Sequence, residues 1–226
     1  MKPTLNTIIV GAGGVASYML PALNNSFELN AVLVDGDILE THNLDRQIFS
    51  KKDIGKNKAA ALIAHNNFRD VVPLEEYIED DFCFKHRDAV DGCDLVICLV
   101  DNHPARRAAL TIAREAKIPI LICANEYSTS QVQYWHPELG EEIAPDVRYP
   151  EIATSDHGSP INCTGEALES TPQLAIANQV SAALGNMLVW QWHGSTKHDI
   201  EAVLGHEVIE IQTTFSKVET ITLNDL

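Results

Sequence analysis

The sequence predicts an α/β fold: a mostly parallel sheet with helices on both faces, extended by antiparallel strands in the C-terminal half. Three observations carry that prediction. Short β-rich runs alternate with helix-period segments through the first 125 residues, the order that winds a chain into an open parallel sheet. Two of the runs, residues 94–100 (DLVICLV) and 118–124 (IPILICA), are almost wholly apolar, as strands buried on both faces are. After Asn125 the pattern changes, and residues 128–135 alternate polar with apolar like a half-exposed strand.

Taken in order, residues 6–10 read as a strand running into the glycines of GAGG, and 15–23 as the helix that follows. Residues 29–34 form a second strand ending at Asp35, 56–68 a helix, and 71–78 a strand with an exposed proline at Pro73. Residues 104–117 are a helix entered through Pro104, a residue suited to a first turn. Residues 137–162 are rich in Pro, Asp, Glu and Gly without a period and are expected to form a long mobile loop. A helix is expected from Thr171, with Pro172 in its first turn and an apolar stripe at Ile176, Val180, Ala183, Met187 and Trp190. Ala182, Ala183 and Gly185 would let that helix pack closely. Residues 207–214 and 217–223 flank a short turn and predict an antiparallel hairpin.

A chain of 226 residues with 45% apolar content can bury a full core as one domain, 1–226. Within it, 1–125 form a βα half, and 126–226 hold the loop, the long helix and the late strands. The longest apolar-rich stretch, 174–190, is broken by Asn178, Gln179 and Asn186 and would cross a bilayer only at high cost. Five cysteines, an odd number with no secretory signal in view, predict a reducing, cytoplasmic setting. Residues 1–117 hold 13 basic against 17 acidic side chains, and 118–226 hold 3 against 15. That field repels nucleic acid and anionic membrane. Six of the sixteen basic residues nevertheless fall between Arg46 and Arg69, a local positive patch.

The glycine loop raises the question of chemistry. Gly11, Gly13 and Ala16 take the three positions of a dinucleotide fingerprint, with Asp35 at the end of the next strand. Glycines there let phosphate approach the backbone, the helix N-terminus supplies amide donors, and the carboxylate accepts from ribose hydroxyls. This alone does not separate NAD from ATP. The segment DGDILETHNLDRQIFSKKDIGKNKAA and the later LVDNHPARRAAL add Arg46, Lys58 and Asp101. An enzyme that splits ATP at its α-phosphate needs cations for the phosphates and a carboxylate for Mg²⁺. A solvated basic face for Arg46 and Lys58, a helix cap for Asp101 and an exposed helix face for Arg106 and Arg107 remain alternatives.

In GAGGVA, DGD leading into NLDRQ, GKNKA and the DN of LVDNHPAR, the first 125 residues resemble the ubiquitin-activating-enzyme superfamily, especially its ThiF and MoeB type. The resemblance implies a Rossmann-like adenylation domain, usually a homodimer. Such a domain binds Mg·ATP and adenylates the C-terminal glycine of a small ubiquitin-like or sulfur-carrier protein. Carried over by position, Gly11, Gly13 and Gly14 line the nucleotide, Asp35 takes the ribose, Asn43, Arg46 and Lys58 approach the phosphates, and Asp101 completes the site, with Mg²⁺ as its metal. Relatives often bind zinc through two CxxC pairs; this sequence has none, so no zinc is expected, and Cys83, Cys93, Cys98 and Cys123 are expected to pack in the core. Cys163, in SPINCTGEALESTP, stands where sulfur-carrier activators place a reactive cysteine, and a thiol step or an inert loop thiol are both open. The rivals are a non-catalytic scaffold or nucleotide-sensing subunit, a same-fold enzyme acting on a non-protein carboxylate, and an NAD(P)-dependent oxidoreductase.

Overall fold

The computed structural model of the protein describes residues 2–125, 128–155, 174–198, 208–214 and 216–225. One sheet runs through it, in the strand order β3-β2-β1-β4-β5-β6-β7-β8. The strands are β1 (Thr4–Val10), β2 (Glu28–Val34), β3 (Val71–Leu74), β4 (Leu95–Cys98), β5 (Ile120–Asn125), β6 (Ser130–Trp135), β7 (Val208–Thr214) and β8 (Lys217–Thr222). The first five are mutually parallel, and every pairing from β5 onward is antiparallel. The predicted mixed architecture and the closing hairpin are therefore present. The order reverses beside β1, which pairs β2 on one side and β4 on the other; ligands of open α/β sheets bind outside the strand ends at such a switch point.

The helices are α1 (Gly14–Ser26), α2 (Lys58–Asn66), α3 (Phe82–Lys85), α4 (Arg87–Asp91), α5 (His103–Ala116), α6 (Pro145–Arg148), α7 (Pro150–Thr154) and α8 (Ala175–His198). Strand alternation splits the core in two. Leu5, Ile9, Leu33 and Ile97 point to the face covered by α1, α2 and α8. Ile8, Val10, Val34 and Val96 point to the face covered by α3, α4, α5, α6 and α7. All four residues of β4 are at most 1% exposed, as the run DLVICLV requires.

Three expectations need correction. The strand at 71–78 ends at Leu74, because the chain then turns across the strand ends and lays Tyr77 over Gly36, where even a Cβ would lie 2.8 Å from the tyrosine ring. Residues 137–154 are not an aperiodic loop: two 3₁₀ turns, Pro137–Leu139 and Glu141–Ile143, lead into α6 and α7. Pro137, Pro145 and Pro150 each open one of these helical turns, where a missing N–H costs nothing. Residues 156–162 of that expected loop lie outside the described residues. The third correction concerns α8, whose stripe faces away from the core: Ile176, Met187 and Trp190 are 57%, 43% and 55% exposed. Its buried face is instead Ala177, Asn178, Ser181, Ala182, Gly185, Leu188, Val189 and His193. Gly185 earns its place by close approach, since a Cβ there would sit 2.7 Å from the Cys123 sulfur.

Candidate nucleotide-binding site

The turn from β1 into α1 is shaped by three glycines with three different duties. Gly11 has φ +98°, and a Cβ on it would lie 2.9 Å from Val100 Cγ1 and 3.0 Å from the Leu99 carbonyl, so no other residue fits between β1 and the end of β4. Gly13 caps α1 without any side-chain hydrogen bond, and a Cβ there would meet only Gln47 Nε2, 3.8 Å away. The start of α1 is thus capped by no side chain, the arrangement that can receive an anion. Gly14 gives way to a neighbour: a Cβ on it would come 2.6 Å from Cγ of Asn178, on α8.

The end of β2 contributes two carboxylates in different states. Asp35 accepts from the backbone N–H of Ala12 at 2.7 Å and of Asp37 at 2.8 Å. Burial nevertheless pushes its carboxyl above the usual range, the amide bonds and Lys58 offsetting only part of that cost. Asp37 accepts from Lys58 Nζ at 2.6 Å and from the Tyr77 hydroxyl at 2.9 Å. Burial works against its charged form too, but the bond and charge of Lys58, with the tyrosine bond, outweigh it and hold the carboxyl below its ordinary value. Asn57 locks this corner. It caps α2 by accepting from Ala60 N–H at 3.1 Å and donates to the Asp35 carbonyl at 2.7 Å, so the first residue of α2, Lys58, is delivered to the end of β2.

The segment after β2 supplies the next pair. Asn43 is buried, and its Oδ1 accepts from Glu40 N–H at 2.9 Å in a capping box. Arg46 follows; among the described residues its guanidinium has no hydrogen-bond or ion-pair partner, while its carbonyl accepts from Asn178 Nδ2 at 3.1 Å. Gln47, 8% exposed, has an Oε1 with no partner. Beyond β4, Asn102 rather than Asp101 caps α5, accepting from Ala105 N–H at 2.9 Å. The capping alternative for Asp101 therefore falls to its neighbour, and the Asp101 side chain stays exposed. Arg106 donates to the Val100 carbonyl at 3.2 Å, and Arg107 to the carbonyls of Ile152 and Ser155 at 2.9 and 2.6 Å.

Gly11, Gly13, Gly14, Asp35, Asn43, Arg46, Lys58 and Asp101, scattered over 91 residue numbers, line one cavity of about 630 Å³, within the usual range for small-molecule sites. Arg106 lines it as well, and Arg107 does not. Cys163 lies outside the described residues. Sequence reasoning missed Asp37, Gln47 and Tyr77 in the lining. Asp37 was legible as the second acid of DGD, whereas Tyr77 was hidden inside a strand drawn too long.

The residues fit a nucleoside triphosphate. The helix start at Gly13, which no side chain caps, and the guanidinium-bearing Arg46 both line the same cavity. Among the described residues no group of three or more His, Cys, Asp or Glu could hold a metal.

The chain is 34% identical over 112 residues to the NEDD8-activating enzyme E1 catalytic subunit of Dictyostelium discoideum, covering 47% of the chain and 24% of that protein. It is 29% identical over 119 residues to the SAMP-activating enzyme E1 of Haloferax volcanii, covering 50% of the chain and 43% of that protein. The chain thus spans less than half the length of these curated relatives. In fold it matches E. coli MccB crystallised with ATP, with a TM-score of 0.67 at 21% identity over 96% of this chain and 63% of that one. PaaA matches with a TM-score of 0.66 at 19% identity, over 96% and 64%. The ThiF family model matches residues 4–196, which is most of the chain, and the protein belongs to the ThiF family.

Proposed function

We propose that the chain acts as one adenylation domain, residues 1–226, that activates the C-terminal carboxylate of a small ubiquitin-like or sulfur-carrier protein with ATP. The carboxylate oxygen bonds to the α-phosphorus, the bond from that phosphorus to the bridging oxygen breaks, and pyrophosphate leaves with the electron pair. Two anions must meet in line, so catalysis rests on positioning and on cations waiting where charge accumulates. The observation that carries the reading is the convergence of Arg46, Lys58 and Asp101 with the open glycine turn on one cavity.

In this reading the amides at Gly13 and Gly14, with Asn43, Arg46 and Lys58, hold phosphate oxygens, and Asp35 with Asp37 faces the ribose. Mg²⁺ bound to the phosphates and Asp101 would supply charge neutralisation. A thiol step at Cys163 remains part of the proposal. The E1 names of the relatives support a protein or peptide carboxylate as substrate. The exposed α8 stripe at Ile176, Met187 and Trp190 supports a homodimer; a monomer mass at micromolar concentration would remove that part. Four buried, unpaired cysteines suit a cytoplasmic setting.

The test is thermal stability with Mg·ATP and, separately, NAD. At about 100 times its dissociation constant a ligand stabilises by roughly 2.7 kcal/mol. ATP should shift the wild type and NAD should not, and ATP–pyrophosphate exchange should then appear with a cognate carrier. A shift with NAD alone would assign the loop to redox chemistry, and no shift with either would favour a scaffold subunit.

A further inference from the structure

Asn178 is 0% exposed on the inward face of α8, whose other buried residues are small or apolar except for His193 near its far end. A buried amide is retained only where its hydrogen bonds are made, and here they join three separate elements. Its Oδ1 accepts from Asn125 Nδ2, at the end of β5, at 2.6 Å. Its Nδ2 donates to the Arg46 carbonyl at 3.1 Å, across 132 residues of sequence. Its amide plane fills the space that a side chain on Gly14 would need. The Arg46 guanidinium has no partner of its own among the described residues, so its location is set by its backbone. That backbone is held at Asn43, whose carbonyl takes the Arg46 N–H at 3.4 Å, and at Asn178.

We infer that Asn178 is a positioning residue that fixes Arg46 against the glycine turn, so that α8 sets the placement of the phosphate-facing cation. Gly14 is then the counterpart of Asn178: its missing side chain admits the amide. The inference rests on the reading of Arg46 as a phosphate ligand, and its effect passes through Arg46 rather than through substrate.

The experiment uses Asn178→Asp, which keeps an acceptor for Asn125 but turns an oxygen toward the Arg46 carbonyl, and Asn178→Ser, which removes both bonds without adding charge. In the free protein, hydrogen exchange of the amides at residues 44–47 should accelerate about tenfold in both variants while that of β1 and β4 stays unchanged. In ATP–pyrophosphate exchange, kcat/KM should fall by about tenfold to hundredfold, the scale of a small misplacement. In an Arg46→Ala background the same substitutions should have almost no further effect. Equal losses in both backgrounds, or unchanged exchange at 44–47, would overturn the inference. If the wild type binds no Mg·ATP, the functional reading fails, and the hydrogen-exchange arm still decides whether Asn178 holds the segment.

Discussion

Two clusters in this molecule have nearly the same chemical make-up, a carboxylate, a cation and a tyrosine, and opposite characters. At the cavity, Asp37 meets Lys58 and Tyr77, and the Asp37 side chain is 47% exposed. On the far wall, Glu210 of β7 meets Arg148 at 2.5 Å and Tyr149 at 2.6 Å, and its side chain is 0% exposed. Gln131 and Gln212 also donate to Glu210 Oε1, which Tyr149 shares, while Oε2 takes Arg148. The Glu210 cluster bolts the turn between α6 and α7 to the sheet. Full burial makes it structural, while an open side makes the Asp37 cluster available to a ligand. Residue types alone do not identify a site; the unspent bonding capacity does.

The largest expected effect is on the buried cluster. Glu210→Ala leaves the Arg148 guanidinium buried without its charge partner and should destabilise by about 3–5 kcal/mol in urea unfolding. Lys58→Ala should do the reverse. Water can solvate the half-exposed Asp37, so stability should change by less than about 1 kcal/mol, while adenylation measured by pyrophosphate exchange should fall by roughly 10² to 10³. A Lys58 variant that unfolds as readily as the Glu210 variant would erase the distinction.

Acid should sharpen it. Burial alone would raise the Glu210 carboxyl, but its hydrogen bonds from Tyr149, Gln212 and Gln131 and the charge of Arg148 hold it below 4.5. Its stabilisation is therefore fully present above pH 4.5 and lost as pH falls through the lower folded value. Unfolding free energy should drop more steeply as pH falls below 4.5 in the wild type than in Glu210→Gln. Asp35, raised by burial, works in the opposite direction and does not produce that loss. The smallest effect is expected for Tyr77→Phe, which removes one hydrogen bond at an exposed site and should cost under about 0.5 kcal/mol by thermal unfolding.

The same contrast explains what was legible in the sequence. The strands near the site follow from apolar runs such as LVIC and from the glycines, because those patterns answer to burial and to backbone sterics. Arg46, Lys58 and Asp101 were picked out by residue type and spacing, and the fold brings all three to one cavity. Asn178 was not: in a one-dimensional reading an asparagine within 174–190 only interrupts an apolar run. The α8 stripe misled for the matching reason. Its inward face carries Asn178, Ser181 and Gly185, chosen for bonds and close approach, and periodicity assigns the core to whichever face is greasier. The prolines of 137–154 signalled a break in structure, yet they mark the starts of helical turns.

The four buried cysteines have a practical consequence. Burial pushes the thiols of Cys83, Cys93 and Cys98 up to about 11, and that of Cys123 further, so at neutral pH they are poor nucleophiles shielded from reagents. Alkylating probes will therefore label these positions only as fast as the domain opens, which turns them into an internal clock for unfolding. Any label taken up at once by the native protein must belong to the fifth cysteine, Cys163, and a single mass shift would report it.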